Sequence, residues 1–260
     1  MFGGWAALAS GDILHHISDS NEIEVFRWTV HLPDGSPFYI TKHVVFLWVA
    51  AALTILLCLS ACRDRRLVPG RLRSFFEAIL LFLRDELVTP YMGKEGAHYL
   101  PYVWTVFFFI LFCNLLGIVP QAATATGNIL VTGALALVSL AVIQATALLK
   151  HGPIGYFKVI VPQVPLFLWP LMLVIELAGF VAKTVALTIR LFANMVAGHV
   201  VILAILGFIL LFPNNVFVAL VSVAGAAAIF FLEIFVAFLQ AFVFTFLTVV
   251  FIGEVLHPHH

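Results

Sequence analysis

Apolar residues fall into long runs along this chain, separated by short polar or proline-containing segments. The first run, residues 43–62, has twenty positions without Asp, Glu, Lys or Arg. A helix needs about 20 apolar residues to cross the hydrocarbon core of a bilayer. Two more runs of comparable length lie within residues 99–149 and are joined by an uncharged loop. The pattern therefore predicts three ordinary transmembrane helices in this part of the chain.

The C-terminal part, residues 165–260, has longer apolar runs. No proline occurs between Pro170 and Pro213, or between Pro213 and Pro258. If each run is one helix, it is about 60 Å long, twice the thickness of the hydrocarbon core. Two shorter spans in each run would need polar turns, but only isolated glycines occur there. We therefore predict an all-α polytopic membrane protein whose last two helices are long and steeply tilted in the membrane. They would form an antiparallel hairpin that turns at residues 213–215.

The polar segments give the predicted orientation. Residues 63–98 carry seven Lys or Arg, and the positive-inside rule makes such a segment an inner loop. Apolar residues in its 71–88 part recur at helical spacing, which indicates an amphipathic helix. This helix could lie on the inner membrane interface or cover partner helices. Residues 150–164 are predicted as a second inner loop. The same rule leaves residues 1–42 as an outer-side N-terminal tail and puts the C-terminus in the cytoplasm.

Composition supports this class of protein. The chain of 260 residues is 63% hydrophobic and 10% charged, with a mean hydropathy of +1.13, whereas soluble domains are about 25% charged. The formal net charge of zero gives no reason to expect a nucleic-acid partner. The three cysteines are scattered through apolar segments, so neither a disulfide nor a metal site is predicted. No phosphate-binding glycine motif is present, and no cofactor is predicted.

Ionisable and amide side chains on the predicted hairpin recur every seven residues. They are Glu176, Lys183 and Arg190 on the first helix, and Glu233, Gln240 and Glu254 on the second. Seven residues are just under two helical turns, so each set shares one face of its helix. His199 follows Arg190 by nine residues, which is about 180° around the helix, and it therefore faces the other way.

The hairpin also predicts which of these residues lie at equal depth in the membrane. Residues equally far before and after the turn share a depth. This rule pairs Arg190 with Gln240, Glu176 with Glu254, and His199 with Glu233. Polar groups at matching depth can hydrogen-bond or neutralise each other, which is how charged side chains are tolerated in a membrane.

Arg190 lies near the middle of its apolar run, where inserting a charge costs about 3 kcal/mol. Its guanidinium is not deprotonated, so it cannot relay protons, but it attracts a carboxylate. The chain has no spare carboxylate at this depth, so we expect the partner on another subunit. Two titratable pairs flank Arg190: His199 and Glu233 toward the outer turn, and Glu176 and Glu254 toward the inner end.

Purely structural explanations stay open beside these roles. Glu176 and Lys183 could form an ion pair at spacing i, i+7. His199 and Glu233 could be a core pair that hydrogen-bonds without exchanging protons. Asn194, one turn beyond the arginine, could orient the guanidinium or simply pack between helices.

Three strings of this sequence closely resemble the a subunit of F-type ATP synthases. They are FCNLLGIVP at residues 112–120, IRLFANMVAGH at 189–199 and EIFVAFLQAFVF at 233–244, within a similarity that extends over residues 99–257. In that family the arginine of the second string and the glutamine of the third are the signature. The resemblance implies a static membrane subunit packed against a ring of c subunits, the c-ring. It also implies the b subunits of the peripheral stalk and the remaining ATP synthase subunits as partners.

The resemblance further implies roles for individual residues. Arg190 matches the essential arginine that faces the carboxylate of the c-ring, and Asn194 and Gln240 match its polar neighbours. Gly117 departs from the family pattern, because some bacterial members have an acid there. The remaining matches are His199 and Glu233 to an outer half-channel pair, Glu176 to an acid of the inner half-channel, and Asn114 to an outer-access position.

We therefore predict a proton-translocating stator subunit of a rotary ATP synthase, without catalytic activity of its own. It would lie in lipid, in a bacterial inner membrane rather than a mitochondrial one. Two offset half-channels, with Lys183 and Glu254 on the inner proton path, would serve the c-ring, and Arg190 would block leakage between them. The alternative is a stand-alone ion-coupled secondary transporter, but the inverted repeats and broken helices of that class are not visible. A quinone- or haem-binding subunit would need histidines paired across spans, whereas His199 is the only histidine well inside one.

Overall fold

The computed structural model describes residues 22–25, 28–31, 42–63, 71–118, 125–160, 167–212 and 215–257. Its helices are α1 (Lys42–Arg63), α2 (Arg71–Phe82), α3 (Thr89–Met92), α4 (Leu100–Ile118), α5 (Ile129–Ile160), α6 (Trp169–Leu211) and α7 (Val216–Leu256). A π-helical segment (Leu83–Val88) joins α2 to α3, and 3₁₀ segments occupy Gly93–His98 and Ala125–Gly127.

Within the described ranges, four helices are long and apolar enough to cross a membrane. These are α4, the Ile129–Gly152 part of α5, α6 and α7. The apolar part of α1 within the described side chains, His43–Leu59, is shorter. The predicted class, an all-α polytopic membrane protein, is therefore confirmed.

The two C-terminal runs are unbroken helices of 43 and 41 residues, or about 65 and 62 Å at 1.5 Å per residue. Asn215 begins the second helix as its N-cap. Its Oδ1 accepts hydrogen bonds from the backbone N–H groups of Phe217 and Val218, at 3.1 and 3.3 Å. A side-chain acceptor at this position satisfies donors that the first helical turn leaves without partners. The tilt of these two long helices, α6 and α7, in the membrane stays a prediction.

A short antiparallel hairpin lies in the segment predicted as a polar tail. Strand β1 (Glu22–Val25) pairs with β2 (Trp28–His31), with Ile23 opposite Val30. The alternation of apolar and polar residues in the two strands matches the two-residue period of a β-strand. Sequence patterning for transmembrane spans did not detect it.

The predicted amphipathic helix changes its winding midway. It is α-helical to Phe82 and then π-helical over Leu83–Val88. Pro90 explains the change, because proline has no N–H to donate to the carbonyl of residue i−4 and clashes with it. The Arg84 carbonyl accepts two hydrogen bonds from Thr89, one from its backbone N–H and one from its hydroxyl at 2.9 Å. Trp104 on α4 donates its ring N–H to the Leu80 carbonyl at 3.2 Å, which ties this segment to a spanning helix.

Residues 150–160 of the segment predicted as an inner loop, 150–164, are helical, and the inner-side location of this segment stays a prediction. Helix α5 continues through Lys150 and His151, bends at Gly152 with φ of +67°, and resumes to Ile160. Glycine accommodates a positive φ without a side-chain clash, and Pro153 suits the first turn of the resumed helix. Gly152 and Pro153, within the predicted loop, therefore form a kink between two helical stretches.

The described residues form two compact units. Unit 1 contains the described residues up to Leu53, with Phe109–Thr132 and Arg190–Gln240. Its core includes Ile118, Met195 and Ala237, from α4, α6 and α7. Unit 2 contains Thr54–Phe108, Gly133–Ile189 and the described residues from Ala241 onward. Its largest fully buried side chains include those of Leu83, Met92, Phe107, Phe244 and Ile252.

Candidate functional site

Arg190 lies on an exposed face of α6. Three alanines on this face are exposed as well: Ala186, Ala193 and Ala197. They and Arg190 follow one another at spacings of three or four residues. Leu191, about 100° further around the helix than Arg190, is buried. Among the described residues, no carboxylate lies within 4.0 Å of the guanidinium. An apolar helix thus presents a permanent cation to its surroundings, flanked by small side chains.

Gln240 is 6% exposed and its amide Nε2 has no hydrogen-bond partner among the described residues. No hydrogen bond joins it to Arg190 within the part of the chain that the structure describes. Asn194 is half-buried. The roles predicted for these two amides beside the guanidinium therefore stay predictions.

Glu233 on α7 packs against Gly198 on α6. A Cβ atom added to Gly198 would contact the Glu233 carboxylate oxygen and lie only 2.7 Å from its carboxyl carbon. Both carboxylate oxygens are buried and lack a hydrogen-bond partner among the described residues. Glycine is the residue that leaves room for this carboxylate. The side chain of His199 lies outside the described residues, so its predicted pairing with Glu233 stays a prediction.

Glu233 and Gln240 form a polar row on α7, with the backbone carbonyl of Ala237 between them. Residues 233, 237 and 240, at spacings of four and three, share one helical face. Asn114 on α4 donates from its Nδ2 to the Ala237 carbonyl at 3.3 Å, between the two polar side chains of the row. Its Oδ1 is buried and has no partner within the described chain. Unit 1 therefore buries a carboxylate and two amides whose hydrogen-bonding capacity is incompletely used.

Unit 2 contains a cavity of about 100 Å³ between α5, α6 and α7. At the roughly 30 Å³ that each molecule occupies in the liquid, this space could hold about three waters. Its polar lining side chains are Ser139, Gln144, Glu176, Lys183, Thr184, Thr248 and Glu254. The two glutamates predicted to lie at equal depth thus line one cavity.

Lys183 pairs across helices. Its Nζ lies 3.8 Å from an Oε atom of Glu254 and 4.3 Å from the ring centroid of Phe251. Among the described residues, Glu254 is its ion-pair partner, and the alternative of a Glu176–Lys183 ion pair is therefore wrong. Phe251 was not recognised from sequence. Its position three residues before a glutamate, on the same helical face, is the signal that could have found it.

The end of α7 is held by two residues of α5. Lys150 donates to the Leu256 carbonyl at 2.7 Å, and the Nε2 of His151 hydrogen-bonds the Val255 carbonyl at 2.9 Å. The last carbonyls of a helix lack partners within it and carry partial negative charge. Lys150 also donates to Glu95 at 2.6 Å, and this bond lowers the pKa of the Glu95 carboxyl. From sequence, Lys150 marked only an inner loop, because its contacts are formed with residues more than fifty positions away.

The close contact at Gly198 gives a testable prediction. We expect Gly198→Ala to displace the Glu233 carboxylate and, from the proton-path role that the sequence predicts for Glu233, to reduce proton flux several-fold. The abundance of the inserted subunit should change little, because alanine gains about 1 kcal/mol of helix propensity over glycine and a glutamate side chain can move. Flux is measured as ATP-driven acidification of inverted membrane vesicles.

Gly207→Ala is the matched control, since a Cβ at this position of the same helix would meet nothing within 4 Å. Equal flux in the two variants would show that the space at Gly198 does not matter.

Comparison with known proteins gives a consistent set of relatives. The profile of the family described as ATP synthase A chain matches residues 44–253. Three similar proteins are each described as ATP synthase subunit a. The Myxococcus xanthus protein is 49% identical over 226 residues, covering 85% of this chain and 74% of the relative. The Chloroherpeton thalassium protein is 40% identical over 260 residues, covering 96% and 78%. The Anaeromyxobacter sp. (strain Fw109-5) protein is 46% identical over 223 residues, covering 84% of this chain but 55% of that longer relative.

Proposed function

Because this chain belongs to the ATP synthase subunit a family, we propose that it is the proton-translocating stator subunit of an ATP synthase membrane sector. In this role it does not itself catalyse ATP formation. It provides two offset half-channels to a c-ring and is held by the b subunits of a peripheral stalk. The relatives above are bacterial, which supports a bacterial inner membrane, with the N-terminus outside and the C-terminus in the cytoplasm.

The observation that carries this proposal is the exposed guanidinium of Arg190. A cation on an apolar helix, with no carboxylate of the described chain within 4.0 Å, is suited to a carboxylate on a partner. The exposed alanines beside it allow another helix to approach closely, as small residues do at helix interfaces in membranes. A deprotonated c-ring carboxylate is the partner that we propose.

The outer half-channel is proposed to follow the polar row of unit 1. Glu233 takes up a proton, together with His199, and Asn114 and Gln240 line the route. The buried oxygens of Glu233 and the incompletely bonded amides support this assignment. Buried polar groups normally have protein or water partners, and a proton path needs such groups in sequence.

The inner half-channel is proposed to include the cavity of unit 2. Glu176, Lys183 and Glu254 bring three charges to a space large enough for a few waters. Ionisable residues within membrane helices mark ion and proton pathways. Along α6, Arg190 lies between Glu176 and His199 in sequence, so its fixed charge blocks direct transfer of a proton along that helix. Each charge that crosses the membrane at a potential of about 100 mV supplies about 2.3 kcal/mol. Rotation of the ring adds up the energy of several such crossings.

A stand-alone secondary transporter is the other candidate. Such folds bind their ions at discontinuous helices, whereas α6 and α7 are continuous over 43 and 41 residues. We therefore favour the ATP synthase role.

Cysteine cross-linking tests the proposed partner. In the intact complex with native cysteines replaced, we expect Ala193→Cys to form a disulfide with a cysteine placed beside the c-subunit carboxylate. The reason is that Ala193 shares the exposed face of Arg190. The measurement is the yield of the a–c product on a denaturing gel after mild oxidation.

Val138→Cys serves as the control, because Val138 on α5 is also exposed, at 57%, but lies on a different helix. Equal yields at both positions, or no product from Ala193→Cys, would mean that the Arg190 face does not meet the c-ring.

A further inference from the structure

The ammonium group of Lys183 lies between two side chains of α7. Phe251 and Glu254 are three residues apart, so both project from one face of that helix. The Nζ atom is 4.3 Å from the Phe251 ring centroid and 3.8 Å from the Glu254 carboxylate. A cation over an aromatic face is attracted by the negative potential of the ring, and the attraction strengthens as water is excluded. The two contacts together keep the lysine charge at the wall of the unit 2 cavity.

The backbone around Glu254 is held by contacts of the neighbouring residues. The carbonyls of the next two residues, Val255 and Leu256, are bound by His151 and Lys150. The preceding residue, Gly253, lies against the backbone of Tyr91, where an added Cβ would come within 2.5 Å of the carbonyl oxygen. The backbone that carries the carboxylate is therefore anchored on both sides. The Lys183–Glu254 distance consequently depends on the side-chain torsions of these two residues.

Glu176 lines the same cavity but is not paired with Lys183. The two residues are seven positions apart on α6, about 10.5 Å along the helix axis. Among the described residues, Glu176 forms no hydrogen bond or ion pair. The cavity thus holds one paired carboxylate and a second carboxylate that has no fixed counter-charge.

We propose that Lys183 is a positioning residue that neutralises Glu254 and thereby sets the pH at which this cavity takes up the translocated proton. The inference rests on the proposed function, because it requires the cavity to lie on the proton path. Two carboxylates in one small cavity tend to share a proton, since like charges disfavour ionisation of both. One lysine reduces the charge of the fully ionised set from two negative to one.

The other titratable groups near this cavity do not supply such a counter-charge to it. Tyr102 donates its hydroxyl to Ser139 at 3.3 Å, and Ser139 lines the cavity. Lys150 is engaged with Glu95 and the Leu256 carbonyl, and His151 with the Val255 carbonyl. Within the described lining, Lys183 is the only cation.

The test is the pH profile of ATP-driven proton pumping in inverted membrane vesicles that contain the complete ATP synthase. In these vesicles the proposed inner side faces the bulk buffer. We expect Lys183→Gln to shift the profile to higher pH by about one unit, a tenfold change in proton concentration, because protonation of the cavity becomes easier. Glu254→Gln should shift it to lower pH. The double variant should return close to the wild-type profile, and Lys183→Arg should keep it.

Two controls change charge outside the cavity. Lys94→Gln and Glu77→Gln remove one charge each from exposed side chains of the inner-side segment, and both should leave the profile in place. If Lys183→Gln prevents assembly, the Glu254→Gln and Lys183→Arg profiles still decide the question.

A uniform loss of pumping at every pH in Lys183→Gln, or shifts of the two single variants that do not cancel, would overturn the proposal. An unshifted Glu254→Gln profile would do so too. These outcomes are distinct from failure of the proposed function, which would appear as normal ATP synthesis in Arg190 variants, whatever the profile of Lys183→Gln.

Discussion

Arg190→Ala is expected to lower proton-driven ATP synthesis by at least about 100-fold, the scale of effect seen when a positioned charge-stabilising group is removed. Without the guanidinium, a deprotonated ring carboxylate loses its counter-charge in an apolar environment, where an isolated carboxylate is strongly disfavoured. The subunit should still insert, because Arg190 makes no hydrogen bond or ion pair within the described chain. Synthesis is measured in energised membranes with insertion checked by immunoblot.

Two further variants sharpen this result. Arg190→Lys should also be strongly impaired, since ammonium is more strongly hydrated, lacks the planar fork and can lose its proton. Arg84→Ala removes an exposed arginine that pairs with Asp85 at 2.8 Å outside the spanning helices, and it should leave synthesis intact. Normal synthesis with alanine at position 190 would refute the role assigned to this residue.

Glu233→Gln is expected to reduce proton flux by at least about 100-fold, the lower end of what positioned proton-transfer groups contribute. The substitution keeps the shape of a buried side chain that packs against Gly198 but removes its capacity to ionise. Insertion should be unaffected, because the amide is neutral. Passive proton conduction through the membrane sector, with the catalytic sector stripped off, is the direct measurement.

His199 provides the second half of this experiment. We expect the double variant Glu233→Gln, His199→Gln to be no worse than the more impaired single variant, because two groups on one route each block the same flux. Non-additivity of this kind is what a double-mutant cycle detects. Effects that simply multiply would mean that the two residues act on separate routes, and a conducting Glu233→Gln variant would remove Glu233 from the path.

Lys183 shows where reasoning from the sequence was incomplete. Its place on one face with Glu176 and Arg190 follows from the seven-residue spacing alone, because helical geometry is local. Its ion-pair partner does not, since an i, i+7 neighbour is about 10.5 Å away along the axis, while Glu254 on another helix is 3.8 Å away. The hairpin argument brought Glu176 and Glu254 to one depth, and both line one cavity. It did not assign Lys183 to Glu254.

Helix ends also show which features follow from local sequence and which depend on packing. The absence of proline predicted two uninterrupted C-terminal helices, and these are present. The sequence predicts a loop at residues 150–164, whereas Gly152 is a kink within α5. Glycine and proline interrupt a helix in both cases, so local sequence does not distinguish a loop from a kink. The capping of α7 by Lys150 and His151 could not be predicted, since it depends on how distant segments pack.

The sequence by itself determined the membrane class, the two long helices, the family and the central position of Arg190. These follow from the length of the apolar runs, the positions of the prolines and the family motifs. Each of these signals can be recognised within a single helix. Only the tertiary structure decided that Arg190 is exposed, that Gly198 makes room for Glu233 and that Lys183 belongs with Glu254. Those facts depend on the rotation of each helix about its axis, which is set by side-chain packing between helices and has no local signature.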